Sequence, residues 1–549
     1  MDRDVEASLL RHRSPGVDME YALLPLDSKD EGVENHVLEV EEEVIGEETL
    51  VPPRPLPVWL RYPKILLWAL LPSFLHPEDP KAKPKPLHPS AWLDGLRGMA
   101  AFFVVCHHWT LVSMPMSIHY GYMSDNDPLF LQLPIIRLAI SGPAQVCVFF
   151  VISGYALSYK PLRLIQQKKA GDFAAAVASS TFRRYLRLFL PPLITSFTVA
   201  CLAYYKVYQL YEIPGVAITE FDPPALDTFW EQVKGWWRHF SNLSDPLAKD
   251  IERGRGFPYQ PVLWTIPAEY DGSLVIFLAH VAFYRLRPKF RVLFTVCLTV
   301  HSLVYGRWQI FLFFSGLLLA TVKFYSQDAH AAGDIQGQSI GWYTLPLASK
   351  PWRLNGLGSF RPSLSAVLTP PRLDILKKVL QVVSFVFGLY LLSFPEGTNT
   401  PDFDEGFATP GYGLMTAWTP VGYGDGTYFW IPLAAVYLVF AIDRSPFIQP
   451  LFTNRFMQYL GRISYAVYLV HNSLLWIFGW HLLVFFARVT GTPLEASTAS
   501  WGWGFCVVLS TCFFLAGTVC VADFVQRYVD AKAVRFAGWF EGKLVDKTK

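Results

Sequence analysis

The sequence predicts an all-α, polytopic membrane protein with about ten transmembrane helices and both termini in the cytoplasm. Three observations carry this expectation. Of 549 residues, 52% are hydrophobic and only 17% charged, well below the ~25% charged of an ordinary soluble domain. Apolar runs near the ~20 residues that a helix needs to cross a bilayer recur along the chain. Basic residues cluster in alternate connections, as the cytoplasmic excess of Lys and Arg predicts. The net charge of +2 singles out no partner class, and nothing in the composition calls for nucleic acid.

The N-terminal segment, 1–57, reads as a disordered acidic tail. Nine acids and no Lys or Arg lie between Asp30 and Glu48, with little to build a core. Residues 58–87 form a Pro-rich linker whose apolar part is interrupted by Arg61, Pro63, Lys64 and Pro72, which suits the interface better than a crossing. No secretory signal is read before the first span. The transmembrane domain is expected over 88–525, followed by a basic cytoplasmic tail at 526–549. The lipid bilayer is thus the first partner, with the organelle left open.

Spans are expected at 92–113, 143–160, 185–206, 262–284, 290–305, 307–324, 378–394, 428–442, 460–486 and 501–524. The connections test that count. The 160–187 stretch has seven basic residues against one acid, and the 285–291 turn has four. Residues 113–142 hold only Arg137, and 379–443 hold no Lys or Arg. Ten crossings put every strongly basic connection on one side. The 207–261 loop then falls outside, with the sequon Asn242-Leu-Ser. Seven scattered cysteines show no paired spacing and read as small buried apolar residues. No internal repeat is evident, so duplicated transporter halves gain little support.

The first span carries groups that a lipid-facing helix should not. Arg97 and His108 are eleven residues apart, about three turns or roughly 16 Å of rise, and share a face with Ala101 and Val104. His107 turns roughly 80° away. Titratable groups at membrane depth usually face a cavity or the protein interior. Two readings stand: a cation and an imidazole on one cavity wall, or an interfacial anchor with two packed histidines.

Further motifs follow in order. FFVISGY at 149–155 offers small Ser153 and Gly154 beside Tyr155, for close packing or a cavity wall. FRRYLRLFLPP at 182–192 places Arg184 and Arg187 on one helix face. Paired guanidiniums suit phosphate, and they equally suit a topogenic cluster. In WTIPAEYDGS at 264–273, Asp271 complements the helix dipole, while Glu269 has the placing to line a cavity and hold an arginine or orient a histidine. GRISYAVYLVH at 461–471 adds His471, for substrate or for packing. VGYGD at 421–425 is like a potassium-channel filter but has Pro420 where that pattern has Thr, so a turn-rich external loop is expected. No Walker A, GxGxxG, HExxH or GxSxG is present. No metal site is expected, since adjacent His107 and His108 point to different faces.

Taken together, LDGLRGMAAFFVVCHH, FFVISGY, RRYLRLFLPP, WTIPAE and GRISYAVYLVH in this order resemble the membrane-bound acyltransferase-3 family, its fungal members in particular, over about residues 88–525. The resemblance implies an acyl-CoA-dependent O-acyltransferase, commonly moving acetyl from acetyl-CoA to a hydroxyl of a sugar, lipid or other small molecule. It matches the family's functional histidine to His108, its Arg-x-x-Arg pair to Arg184 and Arg187, and its acid to Glu269. Many bacterial members have a second Glu where this chain has Tyr270, so that acid's role does not carry over. The residues fit the implied chemistry. Hydroxyl acylation needs a base and a place for oxyanion charge. The expectation is that Arg97, Arg184 and Arg187 bind coenzyme A phosphates, and that His108 takes the hydroxyl proton. Two alternatives remain: a transporter or flippase of an anionic solute using the same groups, and a scaffold that has lost catalysis.

Overall fold

The computed structural model describes residues 71–76, 87–114, 122, 129–208, 223–247, 256–335, 370–396, 409–424, 426–494 and 500–545. The acidic tail, most of the 58–87 linker and most of the 325–377 connection lie outside them.

Every regular element among the described residues is helical. The principal helices are α1 (Ala91–Ser113), α2 (Gly142–Gln166), α3 (Ala170–Tyr204), α4 (Phe229–Ser244), α5 (Thr265–Phe283), α6 (Pro288–Val304) and α7 (Trp308–Ile335). They continue as α8 (Pro370–Leu392), α9 (Thr427–Asp443), α10 (Arg455–Leu474), α11 (Trp480–Thr490), α12 (Trp501–Val525) and α13 (Ala531–Leu544). Each of the ten expected spans falls on a helical stretch. Among the described residues, seven stretches are long and apolar enough to cross a membrane: α2, α3, α5 with its preceding turn, α7, α8, α10 through α11, and α12 through α13. The 23-residue α1 is not among them. It is long enough, but Arg97, His107 and His108 interrupt its apolar run. Helices α6 and α9, with 17 residues each, are shorter than the usual crossing.

Local sequence accounts for several ends. Asn454 caps α10 by accepting from Met457 N–H, and Ser500 does the same for Trp503 at α12. Thr228 and Glu231 form a capping box on α4. Gly491 closes α11 in the left-handed conformation, φ 68°. The residues that join α10 to α11 and α12 to α13 stay helical but widen into π turns at Leu475–Gly479 and Gln526–Asp530.

Two close helix pairs organise the bundle. A Cβ at Gly98 would collide with the backbone of Leu460 and Gly461, so α1 and α10 touch backbone to backbone. Gly154 of α2 and Gly316 of α7 interlock in the same way. Small residues at such crossings let dispersion and polar contacts do what hydrophobic exclusion cannot do in lipid. Helices α1 and α10 run parallel: Arg97 pairs with Ser464, and eleven residues later His108 meets His471. One apolar cluster gathers α2, α7, α8 and α9 against the start of α1; a second gathers α3, α4, α10, α11 and α12 against its end. A cavity with a largely apolar wall and a cluster of charged residues lies where α1, α2, α3, α5, α10 and α13 face one another.

Three expectations about boundaries change. The 160–187 stretch is not an extended loop. Helix α2 runs to Gln166, and the Ala-rich run after Ala170 starts α3 well before the arginines. Residues 526–544 are helical rather than a tail, and α13 packs against α3. The start of α5 does not sit at an end of the bundle. Gln260 donates to Leu469 O at 2.8 Å and to Ser473 Oγ at 3.1 Å, and Tyr468 donates to Val262 O. The 256–264 turn therefore enters the bundle beside the last turns of α10, where that helix continues into α11. Phe257, Tyr259 and Leu263 are buried there, which suits irregular backbone enclosed by protein rather than exposed to lipid.

Candidate active site

The cavity contains about 1070 Å³ of atom-free space, its open mouth included. One end is basic. Arg97 of α1, Arg184 and Arg187 of α3 and Arg462 of α10 face only two carboxylates in the lining, Glu269 and Asp530. This excess of positive charge in a confined space favours an anion.

The four arginines are not equivalent. Arg97 is buried and donates from Nη2 to Gly461 O at 2.7 Å and from Nε to Ser464 Oγ at 3.0 Å; Asp94 lies 3.4 Å away. Arg184 is also buried. It donates from Nε to Ser273 Oγ at 2.7 Å and from Nη2 to Glu269 Oε1 at 2.5 Å. A guanidinium has five N–H donors in a fixed fork, so each keeps three after these bonds. Arg187, half-buried, makes no hydrogen bond and no ion pair within 4 Å among the described residues. It lines the cavity, with Asp530 as an opposing charge in the same lining.

The other end is aromatic and hydroxylic. Ser153, Thr265, Tyr465 and Tyr468 line it, and Tyr468 donates to Val262 O and meets Thr265 Oγ1 at 2.7 Å. On α1 the lining reaches Val104. His108 lies one turn further along the same face, half-buried and with no hydrogen bond among the described residues. Its ring is 5.2 Å from that of His471, which has no exposed surface. His107 packs edge-on against His108, ring centroids 5.1 Å apart, but is engaged: it is 9% exposed, and its Nδ1 bonds Ile140 O at 2.8 Å.

The structure thus brings Arg97, Arg184, Arg187 and Glu269 to one end of one cavity and puts His108 just past the lining at the other. Glu269 holds Arg184. Asp271, two residues on, is exposed. The entering turn before α5 explains why Glu269 reaches the arginines. The VGYGD stretch, described as far as Gly424, is a single tight turn with Val421 fully exposed, as a loop requires.

Sequence reasoning missed two charged residues of the lining. Arg462 was inside a quoted motif without being singled out. Asp530 was assigned to the tail. The signal for Asp530 was present: apolar residues at helical spacing continue past Val525, and Asp523 and Asp530 are seven apart on one face.

A helical membrane bundle with an enclosed, basic, histidine-flanked cavity has the make-up of a polytopic membrane enzyme. Residues 90–521 match the acyltransferase-3 family model, described as an acyltransferase domain, and the chain belongs to that family. It is an acyltransferase-family enzyme of the membrane. It is similar to the O-acetyltransferase PaAT-1 of Phomopsis amygdali, 34% identical over 84% of this chain and 86% of the relative. It also resembles acyltransferase R4 of Phoma sp., 24% identical over 82% of this chain and 96% of that one. Acyltransferase clz18 of Cochliobolus lunatus is likewise 24% identical, over 83% and 96%. No solved structure matches the chain.

Proposed function

We propose that this enzyme transfers an acetyl group from acetyl-CoA to a hydroxyl of a small molecule, sugar or lipid, with His108 as general base. One observation carries the reading: helix α1 presents Arg97 in a cavity with an excess of arginines, and His108 on the same face, half-buried and with no hydrogen bond among the described residues. Similarity to an O-acetyltransferase over most of both chains supports acetyl as the group and oxygen as its destination.

Coenzyme A is anionic at its nucleotide end. Arg187 meets its phosphates with all its donors, joined by those that Arg97 and Arg184 keep free. Glu269 and Ser273 hold the Arg184 fork in place, and Gly461 and Ser464 hold that of Arg97. The thioester arm points along α1 towards His108. There the acceptor's O–H proton passes to an imidazole nitrogen of His108. The hydroxyl oxygen bonds the thioester carbonyl carbon, and the carbon–sulfur bond breaks. The departing thiolate takes the proton back from the imidazolium, which restores neutral His108. A base so placed typically accounts for 10²–10⁴-fold of rate. Both termini are cytoplasmic in this proposal, so the arginine end opens to the compartment that supplies the donor.

The test uses purified protein in lipid nanodiscs with acetyl-labelled acetyl-CoA and a panel of hydroxylated acceptors. Label should move into one of them with matching thiol release. An anionic solute crossing the membrane without thiol release would favour the flippase alternative.

A further inference from the structure

His471 holds a buried acceptor without a partner. Its Nδ1 lies 2.8 Å from Tyr468 O and 3.1 Å from Val467 O. Carbonyl oxygens only accept, so the proton is on Nδ1, and in a neutral ring Nε2 is left with a bare lone pair. That Nε2 has no hydrogen-bond partner among the described residues, in a side chain with no exposed surface. A buried acceptor left unpaired carries the full desolvation penalty of the group. Its ring lies 5.2 Å from that of His108, which has no hydrogen bond of its own among the described residues. A neutral imidazole carries one donor and one acceptor. The acceptor that His471 lacks a partner for, and the donor that His108 lacks a partner for, are complementary.

We propose that His471 is the positioning residue of His108, its Nε2 accepting the His108 N–H directly or through one water, so that the other His108 nitrogen faces the acceptor hydroxyl. This rests on the reading of His108 as base. Bases in such sites are commonly oriented by a third group. Glu269, the other candidate to orient His108, is engaged by Arg184. Tyr468 serves twice: its carbonyl fixes the His471 tautomer, while its hydroxyl lines the cavity. No covalent change occurs at His471; it returns each cycle with the same proton on Nδ1.

The test compares His471→Phe, which keeps a ring against His108 and Tyr468, with His471→Gln, whose side-chain carbonyl can offer an acceptor where Nε2 stood. Full-length protein is assayed in nanodiscs for thiol release from acetyl-CoA, for donor KM, and for thermal midpoint. The phenylalanine variant should lose on the order of 10–100-fold in kcat, the range for removing an orienting partner. Its donor KM should be unchanged, and the glutamine variant should recover most of the rate. The inference is overturned if the phenylalanine variant keeps wild-type kcat, or if the glutamine variant, folded and donor-binding, is as slow as it. Should the phenylalanine variant not fold, His471→Leu takes its place under the same criteria. Wild-type thiol release that does not depend on His108 would instead overturn the proposed function.

Discussion

Adjacent histidines should respond to truncation in opposite ways. His107 is buried, bonds Ile140 O at 2.8 Å and packs its ring against Gly142. His107→Ala leaves that carbonyl unpaired, at about 1–3 kcal/mol, and opens a cavity that adds a further ~1 kcal/mol or more. The thermal midpoint should fall by several degrees, and activity per folded molecule should stay within severalfold. His108 gives up no protein hydrogen bond and already keeps exposed surface. His108→Ala should therefore cost under ~1 kcal/mol of stability, within the ordinary range for sites without such contacts. Its loss is kinetic. Removing a general base costs 10²–10⁴-fold, or roughly 3–5 kcal/mol of activation free energy at 1.36 kcal/mol per decade. Thiol release from acetyl-CoA, normalised to the monodisperse fraction on size exclusion, and a thermal ramp on the same samples give both quantities. A His108→Ala enzyme that retains more than a tenth of wild-type rate would refute the argument, as would a His107→Ala enzyme that folds normally and is inert.

Further outcomes follow from the charges. Arg187→Ala should raise the donor KM at least tenfold with little change in kcat, because no acceptor among the described residues holds that guanidinium; initial rates against acetyl-CoA concentration decide it. Asp530→Asn should do the reverse and lower the donor KM severalfold, since it removes one of two carboxylates in the lining; the effect should shrink in high salt as screening shortens the Debye length. Glu269→Gln leaves buried Arg184 with neutral acceptors only, Ser273 Oγ and the amide oxygen, and no counter-charge, and should destabilise by about 2–4 kcal/mol, towards the range for breaking a buried pair, with a raised donor KM. Outside the cavity, Asp443→Ala should destabilise strongly, by about 3–5 kcal/mol. It strips partners from Lys323 Nζ at 2.8 Å and Tyr155 Oη at 2.9 Å, and thermal unfolding reads it directly.

Periodicity and charge gave the helical architecture, because a chain in lipid must satisfy its own backbone and so advertises its crossings as long apolar runs. Arg97 and His108 were legible as one face because helical spacing is local. Partners across the bundle were not legible. That Glu269 takes Arg184 depends on the 256–264 turn entering beside α10, which follows from hydrogen bonds of Gln260 and Tyr468 to residues some two hundred positions away. The helix beyond Val525 was hidden for a different reason. Lys532, Arg535 and Lys543 make 526–549 look like a solvated tail, although the same residues keep a helical apolar face. His471 was visible as a histidine at depth, but its unpartnered nitrogen appears only once Tyr468 O and Val467 O are seen to take the other one.

The backbone contact at Gly98 and Gly461 has a consequence for how this sequence can change. It pins α1 to α10 at the arginine end, so the histidine end is reached only by counting residues along a rigid rod. Adding or deleting one residue between Arg97 and His108 turns the imidazole by about 100° and shifts it by about 1.5 Å, taking it off the face altogether. Only insertions or deletions of whole turns keep the two on one line. The separation is thus quantised: the length of α1 between those two residues admits only a few discrete values.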